Sequence, residues 1–182
     1  MFVLLPMKVI MVSLFKSLLA LAFLASASWG VLPAMTAQAA CTSSPGPGVN
    51  WRRCYFDAQD LAGYDLTGAE LRDATFQRSV LDGSTLIDAD AYRAKFISAS
   101  LSETNFTGAR LQSADFTKAN LRGADLSEAD LRGARFVGAD LAGANLTGAE
   151  VQDATFRNAN LVGVIWIDGV RVCAEGSIGT CR

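Results

Sequence analysis

The sequence predicts an all-β solenoid of square coils. Three observations predict it. First, apolar residues recur at every fifth position from Phe56 to Trp166 without losing register. Those 23 core positions hold 13 Leu, 7 Phe, Val151, Ala91 and Trp166, and the residue two before each is Ala in 16 of them. The run Ala119-Asn120-Leu121-Arg122-Gly123-Ala124-Asp125-Leu126-Ser127-Glu128 reads Ala-(Asp/Asn)-Leu-x-x. Helices repeat apolar residues every 3.6 positions and strands every 2, so neither fits. A strict longer period calls for a repeat architecture. Second, every fourth core position matches in kind. Column one is Phe56, Phe76, Phe96, Phe116, Phe136, Phe156, and column two is Leu61, Leu81, Leu101, Leu121, Leu141, Leu161. Column three is Leu66, Leu86, Phe106, Leu126, Leu146, Trp166, and column four is Leu71, Ala91, Leu111, Leu131, Val151. Twenty residues per coil makes four sides of five, stacked like on like. Third, Gly occupies the second position after the core residue ten times, from Gly63 to Gly163. Inside a helix each Gly would cost about 1 kcal/mol against Ala. In a tight turn it supplies positive φ.

On these residues the chain resembles the pentapeptide-repeat family over about 54–168. The resemblance implies a right-handed quadrilateral β-helix of nearly six coils, with the central Leu or Phe and the preceding Ala filling the interior. Coil stacking of roughly 4.8 Å gives a rod on the order of 28 Å long. Cys54, Gln59, Tyr64, Ser79, Ser84 and Thr104 depart from the small inward residue, and Ala91 departs from the core residue. They predict an irregular start and one imperfect coil.

Residues 1–39 read as a signal peptide. Lys8 and Lys16 precede the apolar run from Ser17 to Ala25, and Ala37-Gln38-Ala39 is a small-x-small cleavage site. The apolar run is short for a bilayer span, so no stable membrane span is expected after cleavage. An uncleaved anchor is the rival reading. No Arg-Arg pair precedes the run, which disfavours a twin-arginine signal. Lipidation at Cys41 is a further alternative, weakened by Gln38 at a position where an aliphatic residue is expected. The expected location is therefore periplasmic or extracellular.

Residues 40–53 read as an N-terminal cap and loop. Pro45-Gly46-Pro47-Gly48 is a loop signal. Trp51 lies in core register and is placed to plug the first coil. Residues 169–182 read as a C-terminal cap. Val164-Ile165-Trp166-Ile167 is apolar throughout, Asp168-Gly169 is a turn, and Val170-Arg171-Val172 is a short returning strand. Solenoid ends need such covers because an end coil exposes core and unpaired backbone.

Four cysteines in an exported chain imply disulfides. Cys54 opens the rod, while Cys173 and Cys181 follow its far end, on the order of 25 Å away by coil stacking. A disulfide needs Cα atoms within about 7 Å. Cys41–Cys54 and Cys173–Cys181 remain, one at each end. The cysteines lack zinc-ribbon spacing and the chain has no His, which argues against a metal.

The lack of His also removes Ser-His and Cys-His nucleophile pairs. Asp88 with Asp90, or Asp125 with Asp130, could act as acid and base, but they fall in outward slots of a solvated repeat. No cofactor is expected. From Ala40 onward the chain carries 14 basic and 18 acidic residues, a net charge of −4, with no basic run. Nucleic-acid binding would want a basic stripe.

The reading is a non-enzymatic exported module for an unknown protein or envelope partner, as a monomer or an end-to-end dimer. Cytoplasmic members of the resembled family mimic DNA and protect type II topoisomerases, an alternative that the signal peptide opposes. A surface- or ice-binding solenoid is a second alternative. It rests on the column Thr67, Ile87, Thr107, Ser127, Thr147, Ile167. Val80, Ile87, Tyr92 and Ile97 are apolar in outward slots and form the candidate partner surface.

Overall fold

A computed structural model describes residues 41–182. The signal-peptide reading of 1–39 lies outside the described residues. From Asn50 to Ile165 the chain climbs as a ladder of parallel single-residue bridges, each joining a residue to the one twenty further on, such as Asn50 to Glu70 and Asn145 to Ile165. One bridge occurs every five residues, so each coil has four sides. A five-residue side with a two-residue turn leaves too few extended residues for a longer strand, so each side contributes one bridge.

One pentapeptide shows why the pattern repeats. Around Leu121, the Ala119 amide closes the turn onto the Phe116 carbonyl at 3.0 Å. The Asn120 amide donates to Ala99 in the coil before at 2.9 Å, and Leu121 donates to Asp140 in the coil after at 2.7 Å. Gly123 donates to Ala142 at 3.0 Å. The remaining amide, Arg122, donates to the Asn120 side-chain Oδ1 at 3.3 Å. The Asp or Asn before the core residue is therefore structural: its side chain accepts an amide that the ladder leaves over. Asp65, Asn105, Asp115, Asp125 and Asn145 do the same.

At two bridging positions, held by Thr75 and Ser100, the acceptor comes from the coil before. Asp57 accepts the Gln77 amide at 2.9 Å and the Thr75 hydroxyl at 2.6 Å. Asp82 accepts the Ser102 amide at 2.8 Å and the Ser100 hydroxyl at 2.7 Å. Asp82→Ala strips both donors of a charged acceptor and is expected to cost about 1.5–3 kcal/mol. Urea unfolding of the variant measures it, and an unchanged midpoint would show that these bonds are replaceable by water.

The turn is of type II form, with the second turn residue left-handed. All 23 such residues from Arg53 to Gly163 have φ between 55° and 73°, and thirteen of them are not Gly. Left-handed backbone costs L-residues about 1–2 kcal/mol. Arg53 and Lys118 adopt it because their amides are fixed to the next coil, at Arg72 and Val137. The ladder, rather than the residue, sets the conformation.

The interior is largely apolar and columnar. Phe116 stacks on Phe96 at 5.0 Å and on Phe136 at 4.9 Å, with rings within 7° of parallel. The column extends from Phe56 to Phe156. Phe106, from the opposite column, reaches across and meets Phe96 and Phe116 edge-on at 5.9 and 6.0 Å. It lies three pentapeptides after Ala91, so the single circuit from Ala91 to Phe106 carries one small and one oversized core residue. Both are fully buried. Ser79, Ser84 and Thr104 are buried at small inward sites, and their hydroxyls donate to carbonyls of Phe76, Leu81 and Leu81. A buried polar group so paired does not weaken the coil.

Pairing begins within the segment read as the N-terminal cap. Gly48, Trp51 and Arg53 donate to Thr67, Glu70 and Arg72. Trp51 is buried against Phe56, with ring centroids 4.2 Å apart. At the far end the chain turns back at Gly169, and Val172 and Ile178 pair antiparallel with Ile165 and Asn160. The tail carbonyls of Arg171, Cys173 and Ser177 accept the amides of Trp166, Gly163 and Leu161, which have no further coil to meet.

Candidate functional site

The functional candidates lie on the outer faces and at the two ends. The four apolar residues singled out from sequence occupy four different columns. Val80 is the bridging residue of column two, while Ile87, Tyr92 and Ile97 are first turn residues of columns three, four and one. Consecutive pentapeptides turn a corner each time, so the register spreads these residues around the rod. Val80 is exposed and the other three are half-buried. Tyr92 is covered by Arg72 from the coil before, its guanidinium 5.2 Å from the ring centroid.

Column four carries a charged ladder. Arg52 pairs with Glu70, Arg72 with Asp90, and Arg132 with both Asp130 and Glu150. Arg110 lies 3.9 Å from Asp90. The Arg132 side chain, its hydrogen bond foremost, holds the Asp130 carboxyl below the usual carboxylate range, and Gln112 donates to it as well. An acid catalyst needs the opposite shift. Asp125 accepts the Ser127 amide and the Asn145 side chain. Asp90 accepts the Arg72 guanidinium and the Tyr92 amide. Three of the four carboxylates considered for acid–base chemistry thus serve the scaffold.

The Thr column is a spatial ladder in part. The Thr107 hydroxyl approaches that of Ser127 at 3.4 Å, but Thr107 and Thr147 each donate to the Asn two residues before. Those hydroxyl protons are directed along the coil.

Both disulfides form as the stacking argument required. Cys41–Cys54 has its Cα atoms 5.5 Å apart, and Cys173–Cys181 has them 4.9 Å apart. Among the described residues no group of His, Cys, Asp and Glu is arranged to hold a metal ion.

The most exposed large apolar residues lie at the ends. Tyr55 is 80% exposed and Val170 is 85% exposed, with Tyr64, Val172 and Ile178 about half exposed. Tyr64 was legible in the sequence as a bulky residue at a small inward site. It swings outward because no full coil lies before it. Tyr55 gave no signal, since its bridging slot is outward in every coil.

A family model described as pentapeptide repeats matches eight copies, over residues 50–88, 92–127 and 124–163. That is more than half of the chain, and the chain belongs to the pentapeptide-repeat family, whose members form right-handed quadrilateral β-helices. Among solved structures, the pentapeptide repeat protein Rfr23 from the cyanobacterium Cyanothece 51142 is 24% identical, with a TM-score of 0.42, over 64% of this chain and 90% of that one. A pentapeptide repeat protein from the Arabidopsis thaliana thylakoid lumen is 29% identical, with a TM-score of 0.32, over 68% of this chain and 83% of its own. QnrB1, a plasmid-mediated fluoroquinolone resistance protein, is 22% identical in one form, with a TM-score of 0.35, over 67% and 77%. No curated protein matches the chain.

Proposed function

We infer that this chain is an exported, non-enzymatic scaffold, a rod that presents its faces to a protein or envelope partner. One observation carries the reading: a disulfide at each end of the solenoid. Such bonds persist in oxidising compartments and are rare in reducing ones. They agree with the signal-peptide pattern and the Ala37-Gln38-Ala39 site. The Cys41–Cys54 bond also counts against a lipid anchor, because a lipid thioether on Cys41 would occupy the same sulfur.

The outer surface supports a scaffold. Many of its carboxylates, Asp65, Asp82, Asp90 and Asp130 among them, accept backbone amides or pair with Arg, and column four alternates in sign rather than forming a strip of acid. DNA mimicry wants a strong uniform field. Cell fractionation followed by mass spectrometry of the purified protein tests the reading. The expected product is outside the cytoplasm, begins at Ala40 and carries both disulfides. A full-length product with free thiols in the cytoplasm would overturn it, and a diacylglyceryl group on Cys41 would replace it with a lipoprotein.

A further inference from the structure

The two capping disulfides look alike in sequence but hold different kinds of structure. At the N-terminal end, residues 48–54 belong to the ladder. Gly48, Trp51 and Arg53 donate in register to the coil after, Glu70 and Thr75 donate back to Val49 and Cys54, and Trp51 is buried. Cys41–Cys54 anchors only the loop ahead of them. At the C-terminal end the tail runs against the coil instead of continuing it. Among residues 168–182 only Cys173 and Ser177 are buried, while Val170, Val172 and Ile178 face solvent. Almost no apolar burial holds this strap down. Up to Cys173 the strap bonds to Trp166, Gly163 and Val164; beyond it, residues 174–182 are held to the rod by the backbone bonds Leu161 to Ser177 and Gly179 to Ala159, at 2.8 Å each, together with the disulfide. Gly179 lies flat on the last coil, where a Cβ would come within 3.3 Å of the Asn158 nitrogen.

We propose that Cys173–Cys181 is a redox-operated latch whose reduction frees residues 174–182 and bares the edge of the last coil, while the N-terminal cap withstands reduction of its own disulfide. Cys181 is half-buried and Cys173 buried, so an attacking thiolate reaches Cys181 first. A dithiol reductant supplies the two electrons. Its thiolate bonds to the Cys181 sulfur, and Cys173 leaves as a thiolate and takes up a proton. The second thiol of the reductant then displaces Cys181 as a thiol and leaves as a cyclic disulfide. With the bond open, a segment having few buried apolar groups opens locally at little free-energy cost. The Leu161 amide loses its acceptor, and the Ala159 carbonyl loses its donor. An uncovered edge of this kind is a template for strand addition. Trp51 and Arg53 keep their acceptors, because neighbouring coils supply them.

The latch is tested by hydrogen exchange of the folded protein before and after dithiothreitol, with thiol counting to confirm that both bonds have opened. The expected result is exchange at Leu161 and Gly179 about ten-fold faster or more. Trp51 and Arg53 should change little, and Phe116 should stay protected as the measure of the intact rod. Cys181→Ser in the oxidised protein should reproduce the C-terminal change alone. Continued protection of Leu161 in both the reduced protein and the variant would overturn the proposal. So would equal loss at Trp51 and Leu161, since the two caps would then be equivalent.

Discussion

Phe116→Ala is expected to destabilise the rod by about 3–5 kcal/mol, the range for emptying a large buried aromatic site. Phe116 is fully buried and touches three rings: Phe96 and Phe136 in its own column and Phe106 edge-on from across the coil. The backbone around it is fixed above and below by the ladder, so the cavity has little room to collapse. The loss therefore includes the cavity term as well as the transfer term. Arg122→Ala is the matched comparison in the next pentapeptide. Its guanidinium meets Asp140 at 3.0 Å, with both side chains well exposed, so its removal should cost no more than about 1 kcal/mol. Chemical denaturation of the two variants gives the contrast. Equal costs would mean that the inward and outward registers had been exchanged.

Trp51→Ala removes a comparable side chain at an end, and its consequence should be distributed differently. Trp51 closes the bottom of column four and packs on Phe56. The local loss is again about 3–5 kcal/mol. In a solenoid each coil is held by its neighbours, so an end coil frays before the rest unfolds. The expected result is lost exchange protection at Trp51, Arg53 and Glu70, with the central amides near Phe116 retained. A single cooperative loss of all amides would show that the rod unfolds as one unit and that the plug supports every coil.

Much of this was legible because the repeat exposes its own geometry. A period of five with like residues every twenty fixes which side chains face inward, so the Phe column could be read before any coordinates. The cysteine pairing followed from the same stacking distance. The candidate partner surface was less legible. Val80, Ile87, Tyr92 and Ile97 are near one another in sequence, but five residues turn a corner, and counting columns shows that they fall in four different ones. The expectation of one imperfect coil was also incomplete. Ser79, Ser84 and Thr104 look like polar intrusions, yet each hydroxyl finds a carbonyl.

By itself the sequence determined the coil, its four sides, its interior and the identity of both disulfides, because each follows from periodicity and distance alone. Only the tertiary structure decided how the thirteen non-Gly turn residues are held left-handed, because the stabilising amide bonds come from a coil twenty residues away. The structure also decided that Asp57 and Asp82 serve the coil after their own. And it decided that one cap continues the ladder while the other is strapped across it. The turn at Asp168-Gly169 and the returning strand were legible in the sequence, but the second antiparallel bridge, Ile178 to Asn160, lies in a tail that no repeat encodes.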